Sequence, residues 1–390
     1  MGNTIAVSAP AGSGGRRNLL RAALLSAPMI LLTGLMTSQG RLPSAAPALI
    51  SWTLSFAFLN VLFFLMVYTG KTDKYRSMLF IVISVCFVIT FTTNLIAERG
   101  SLALNRDNVI NGETPFCHLV IPMTILPAVL KRTIIFPGSM LTGFAAIATM
   151  LVIWIGASLA LGRGWCSWVC FFGGLDEGFS RVRRKPAIKN VDRRWTYLPH
   201  AVLLGAALTS AFTLSPTYCS WLCPFKAVTE FEKVDSLRTV VATVIFVSLF
   251  AGLVVVLPIL TKRRIQCGLF CPFASFQSFF NKLNVFDIRI DKDKCSDCNH
   301  CVTTCPTFSI DEASVARGST LMTCTKCGHC VDACPKKAVF FHIRGTQPGT
   351  AMNTARLLFL YPAYVFTAAI GGGMINGALY LAFKSLRSLI

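Results

Sequence analysis

The stretch "CSWLCPFKAVTEF", Cys219 to Phe231, follows a long apolar run. The chain repeats it closely as "CSWVCFFGGLDEGF" from Cys166 and "CGLFCPFASFQSF" from Cys267. Each time, two cysteines with three residues between them follow an apolar stretch long enough to cross a hydrocarbon layer. The chain has 390 residues, 54% hydrophobic and only 14% charged, with a mean hydropathy of +0.60. That is too apolar for an ordinary soluble domain. Seven spans are predicted, at about 22–36, 46–69, 77–97, 137–161, 197–215, 239–260 and 357–383. The first is short. The last carries Gly371, Gly372 and Gly373, which predict a break or a re-entrant turn.

The net charge of +20 does not point to nucleic acid. The basic residues gather in loops beside the apolar runs, as orientation signals do. "KTDKYR" (71–76), the loop 163–196 and the stretch from "TKRR" (261–264) are therefore expected in the cytoplasm. Alternation then puts 98–136 and 216–238 outside. "GGRRNLLR" (14–21) is expected to hold the N-terminus inside rather than to act as an export signal. The expected organisation is a cytoplasmic tail (1–18), a membrane domain (19–260), a polar cysteine-rich cytoplasmic domain (261–350) and a C-terminal membrane segment (351–390). The bacterial cytoplasmic (inner) membrane is the expected location, with membrane lipid as the surrounding partner.

Sixteen cysteines at short regular spacings read as metal ligation rather than a secreted disulfide scaffold. "CSDCNHCVTTCP" (295–306) and "CTKCGHCVDACP" (324–335) both have the form C-x2-C-x2-C-x3-C-P. Zinc also accepts four thiolates, but zinc ribbons usually use two C-x2-C pairs rather than quartets ending in Cys-Pro. The two quartets resemble the bacterial ferredoxin with two [4Fe–4S] clusters. That resemblance implies crossed ligation: Cys295, Cys298, Cys301 and Cys334 for one cluster, and Cys324, Cys327, Cys330 and Cys305 for the other. His300 and His329 are read as bystanders. The fold class expected is a polytopic α-helical membrane protein of six or seven spans with an α+β ferredoxin-like domain.

In a helical turn, positions i and i+4 share a face, so each C-x3-C pair offers two ligands to one metal centre. Cys166 and Cys170, with Cys267 and Cys271, are expected to hold a third [4Fe–4S] cluster at the inner membrane face. Over about residues 137–345 the chain is similar to the membrane-bound polyferredoxins grouped with NapH, NosR and CcoG. Members relay electrons at the membrane, often between quinol and a partner. Here Phe171 stands where the first motif would have proline, a third pair is added, and no flavin-bearing outer domain is present.

The third pair, Cys219 and Cys223, falls outside on this topology. Cys117 joins it there, with His118, Glu113 or an exogenous group as the fourth ligand. That set reads as an outer-face cluster, or as a disulfide or reactive dithiol. Cys86, in mid-span, reads as a packed small residue. Phe172, Phe225, Phe273, Trp165, Trp168 and Trp221 are expected to form an apolar shell or to anchor at the interface. Only His200 lies in a span, so no histidine pair is offered to haem. Glu98, Arg99 and His118 outline a candidate quinone pocket.

No phosphate loop, dinucleotide fingerprint or hydrolase triad is present. The expected function is electron relay between a cytoplasmic ferredoxin or the quinone pool and a periplasmic or membrane redox protein. A metal or thiol reductase using Cys117, Cys219 and Cys223, and a redox sensor or assembly factor, are the alternatives.

Overall fold

The computed structural model describes residues 15–38, 41–98, 117–132, 147–229, 236–347 and 352–387. Its long helices are α1 (Gly15–Ser38), α2 (Ala46–Thr69), α3 (Thr72–Glu98), α4 (Ile121–Lys131), α5 (Ile147–Leu161), α6 (Phe171–Ser180), α7 (Leu198–Thr213), α8 (Leu237–Thr261), α9 (Pro272–Leu283) and α10 (Met352–Arg387). Four stretches among the described residues are long and apolar enough to cross a membrane: Asn18–Ser38, Ala46–Thr69, Leu237–Thr261 and Met352–Leu386. Residues 137–146 of the expected fourth span, and 99–116 of the expected outer loop, lie outside the described residues.

The expected break at Gly371 to Gly373 does not occur, and α10 runs through it unbroken. The glycine serves close packing instead. A Cβ on Gly371 would sit 2.3 Å from Ile83 Cδ1, so only glycine lets α3 approach α10 there. Gly174 plays the same part between α6 and α3, where a Cβ would meet Phe80 O at 2.4 Å. The Tyr364 hydroxyl donates to the Leu59 carbonyl and pins α10 to α2.

The cysteine-rich segment is built around two antiparallel strands, β1 (Phe286–Ile290) and β2 (Val339–Ile343), with Phe286 opposite Ile343 and Ile290 opposite Val339. Phe286, Ile288 and Ile290 are buried, as a period-two strand requires. This sheet rests on the start of α10. Phe359 stacks on Phe341 at 5.1 Å and meets Phe286 edge-on at 5.5 Å and Trp168 at 5.9 Å. One buried ring thus joins the strands, the C-terminal helix and the first cysteine turn.

Candidate metal centres

The two quartets fold alike because the backbone repeats with the cysteines. Asp297 and Lys326, Asn299 and Gly328, and Phe308 and Lys337 all have positive φ, at matching places 29 residues apart. The first two of each trio curl the two-residue spacers inward, an arrangement that turns successive N–H groups toward an anionic centre, and Phe308 and Lys337 turn the chain three residues after the fourth cysteine. The fourth cysteine of each run is extended, and its sulfur accepts an N–H from four residues on. Ser309 N donates to Cys305 Sγ at 3.2 Å and Ala338 N to Cys334 Sγ at 3.3 Å. Cys295, Cys298, Cys301 and Cys334 line one cavity of about 20 Å³. Burial, then Cys327, Cys324 and Cys305, pushes the Cys330 thiol well up. The first four cysteines thus share one cavity, and Cys305, Cys324 and Cys327 lie near Cys330. His300 is exposed and lines the same cavity as Cys295, Cys298, Cys301 and Cys334, while His329 Nδ1 lies 2.7 Å from Asp73 Oδ2.

The three C-x3-C pairs share a second local fold. The first cysteine sits in a short helical turn (Trp165–Trp168, Tyr218–Leu222 or Gln266–Phe270), and the second is extended, with ψ of 100°, 110° and 116° for Cys170, Cys223 and Cys271. Cys170 N and Cys271 N reach back five residues to Trp165 O at 3.0 Å and Gln266 O at 2.8 Å. A fresh helix then starts at Phe171 and at Pro272. The turns at Cys166 and Cys267 face one another. Arg264 donates to Cys166 O at 2.7 Å and to Cys267 Sγ at 3.2 Å, and Arg163 donates to Cys267 O at 3.1 Å. Burial, then Cys166, pushes the Cys271 thiol up to about 12.

The set on Cys117, Cys219 and Cys223 departs from expectation. The topology rule put a membrane's width between it and Cys170. Instead His118 Nε2 lies 3.2 Å from Cys170 Sγ, and Phe225 stacks on Phe172 at 4.4 Å. The cause is local. Residues 118–131, read as part of an outer loop, form a short apolar helix whose Leu119, Val120, Ile121 and Met123 are buried. The chain after Cys223 also folds inward, so that Phe225 meets Phe250, about halfway along α8, at 6.5 Å. Burial, then Cys117, pushes the Cys223 thiol up to about 12, with Cys271 adding a smaller part. His118 is therefore not aimed at the Cys117 set as a ligand; it is turned to Cys170. Glu113, Arg99 and the side chain of Glu98 lie outside the described residues.

Of the expected shell, Trp165, Trp168, Phe172, Phe225 and Phe273 are buried. Trp221 is half-buried under Arg238, with the guanidinium 5.5 Å from its ring. Cys86 is half-buried in α3, packed against the core.

Sequence reasoning missed a buried ionic network between α3, α6 and the cysteine-rich segment. Arg76 donates to Cys327 O at 2.9 Å, to Ser167 O at 2.8 Å and to both Glu177 oxygens, and it pairs with Asp73 at 2.6 Å. Arg181 bridges Asp73 and Glu177, and Arg264 lies 3.7 Å from Glu177. Burial pushes the Glu177 carboxyl up, but Arg76, Arg181 and Arg264 together bring it down to about 2. Asp176 Oδ2 accepts Cys267 N at 2.9 Å. The adjacent acidic pair in "GGLDEGF", inside an otherwise apolar repeat, was the available signal.

The donor set fits iron–sulfur centres. Arg163 Nε, Arg264 Nε, Trp165 Nε1, Ser275 Oγ and Thr325 Oγ1 are buried with no protein partner, and such donors suit thiolate and sulfide acceptors. Among the described residues, no three Cys, His, Asp or Glu side chains close on a single ion. A cubane holds its ligand sulfurs farther apart than one ion does.

Residues 287–341 match the 4Fe-4S dicluster domain. Three segments, 142–189, 196–233 and 243–291, match the 4Fe-4S binding domain, and each contains one C-x3-C pair. The chain is 28% identical over 178 residues to the putative electron transport protein YccM of Escherichia coli, covering 44% of this chain and 48% of that protein. It is 26% identical over 173 residues to the methylamine utilization ferredoxin-type protein MauN of Methylobacillus flagellatus, covering 44% of this chain and 58% of that protein. The chain thus spans about half the length of these relatives. No solved structure matches it. The chain carries 4Fe-4S ferredoxin-type domains.

Proposed function

We propose that the protein is a membrane-bound iron–sulfur electron carrier of the NapH, NosR and CcoG kind, with four cysteine sets acting in series. The carrying observation is that the sets adjoin. Arg76 touches the carbonyls of Cys327 and Ser167, and His118 stands beside Cys117 in sequence and Cys170 in space. Bound [4Fe–4S] clusters would supply one-electron transfer. The chain's residues hold the thiolates, exclude water with buried aromatic rings, and balance thiolate charge with Arg163 and Arg264. Tunnelling weakens steeply with distance, so a deep third pair shortens any route through the lipid. Cys298, the one exposed cysteine of the sixteen, suits exchange with a soluble ferredoxin. The quinone pool, or a periplasmic or membrane redox protein, would take the other end.

Cys117 and Cys219 are only half-buried, which favours a second reading as a metal or thiol reductase at that site. Iron quantitation with Mössbauer spectra on a Cys219→Ser/Cys223→Ser variant tests the series. One cluster's worth of iron should be lost. Unchanged cluster content removes the deep centre. Full cluster content with lost reductase activity would select the second reading.

A further inference from the structure

His118 is 3% exposed and lies among four aromatic rings, with centroids 5.0 Å from Phe273, 5.6 Å from Trp165, 5.8 Å from Phe171 and 5.9 Å from Phe172. Its polar contact to another set is Nε2 to Cys170 Sγ at 3.2 Å. A thiolate bound to iron has no proton to give. The contact then requires the proton on Nε2, with the imidazole as donor. Cys117 immediately precedes the one-turn helix His118–Val120. Cys117 itself is extended rather than helical, and it lies near the Cys223 thiol while His118 Nε2 meets Cys170. Cys117 and His118 therefore serve different centres.

We propose that the dipeptide Cys117–His118 is the bridge between the two membrane-region centres. Cys117 binds in the set with Cys219 and Cys223, and His118 is a positioning residue that donates a hydrogen bond to Cys170 of the neighbouring set. The bridge gives one continuous path of bonds plus a single N–H···S contact from one set to the other. It also makes the reduced form of the Cys170 centre easier to reach, because a donor stabilises the extra negative charge on its thiolates. This inference rests on the iron–sulfur reading above.

The test uses the purified full chain in detergent, with iron content and EPR-monitored reduction as readouts. His118→Leu should keep the wild-type iron and shift the reduction equilibrium of one centre about tenfold toward the oxidised form, about 59 mV for one electron. His118→Gln, which can still present an N–H, should stay closer to wild type than the leucine variant. Wild-type protein labelled with ¹⁵N-histidine should show one weak nitrogen coupling to that centre. That measurement stands even if the leucine variant does not fold. Full iron with an unchanged potential in His118→Leu overturns the proposal. So does a coupling strong enough for direct ligation, or no histidine coupling at all. Wild-type protein without iron in the C-x3-C sets would instead sink the functional reading itself.

Discussion

The Trp168 indole donates its N–H to the carbonyl oxygen of Lys326 at 3.2 Å. That bond ties the first C-x3-C turn to the second ferredoxin quartet. Arg76 makes the parallel tie from Ser167 O to Cys327 O while neutralising Glu177 and Asp73 in the interior. Replacing Arg76 with leucine leaves two buried carboxylates short of a partner. Breaking a buried ion pair from one side costs about 3–5 kcal/mol. Thermal unfolding of Arg76→Leu in detergent should fall accordingly, and iron retention by the ferredoxin-like segment should fall with it. Unfolding at the wild-type temperature with full iron would show that the network does not join the two parts.

Lys326 supplies a second tie. Its ammonium is buried and donates to Leu161 O at 2.9 Å, Asn281 Oδ1 at 2.7 Å and Asn284 Oδ1 at 2.9 Å. Lys326→Met fills similar volume but removes one hydrogen bond from each acceptor, although Asn281 Oδ1 keeps Arg163 N and Asn284 Oδ1 keeps Phe286 N. Each lost bond costs about 0.5–1.5 kcal/mol. Proteolysis should therefore reach the 281–284 and 324–330 segments faster in Lys326→Met than in wild type. Equal protection in both proteins would refute the role.

Two glycines predict opposite results on rescue. The three atoms nearest a Cβ at Gly371 all belong to the Ile83 side chain, at 2.3, 2.6 and 3.1 Å. Gly371→Ala should cost about 1–3 kcal/mol as overpacking, and Ile83→Ala in the same chain should recover part of it. A Cβ at Gly174 meets Ser84 Oγ at 1.8 Å but also the backbone oxygen of Phe80 at 2.4 Å. Ser84→Ala should therefore not restore Gly174→Ala. Folded yield and melting temperature of the four variants check both statements.

Cysteine spacing carried much of this architecture. The quartets at 295–306 and 324–335 are contiguous in sequence, and their ligand geometry is local, so the motif alone marks them. The C-x3-C turns are equally local. What spacing could not show was depth. "CHLVIPMTILPAVLK" (117–131) is too short to span and holds two prolines, so the alternation rule left it in an outer loop. Its burial follows from packing against α7 and the Tyr218–Leu222 turn, contacts between segments far apart in the chain. The Asp73–Arg76–Glu177 network is hidden for the same reason, since Glu177 lies 101 residues from Arg76. Gly371 illustrates the reverse error. A run of three glycines suggests a break, but Gly371 and Gly372 instead face close neighbours on other helices, Ile83 for the first and Thr37 and Leu59 for the second.

Exposure gives a last prediction, for protein stripped of iron but still folded. Cys298 alone is exposed among the sixteen cysteines. Burial lifts the Cys271 thiol from 9.0 to about 12, and likewise Cys327. A raised pKa keeps these two groups as unreactive thiols until the pH approaches the shifted value. The rise leaves far less thiolate at pH 8 than an exposed cysteine holds. Maleimide followed by peptide mass spectrometry should therefore label Cys298 early and Cys271 and Cys327 late. Raising the pH from 7 to 9 should speed the slow pair without letting them overtake Cys298, and denaturant should erase the order. If Cys271 labelled as fast as Cys298 in the folded state, the dry setting inferred for the Cys166, Cys170, Cys267 and Cys271 site would be wrong.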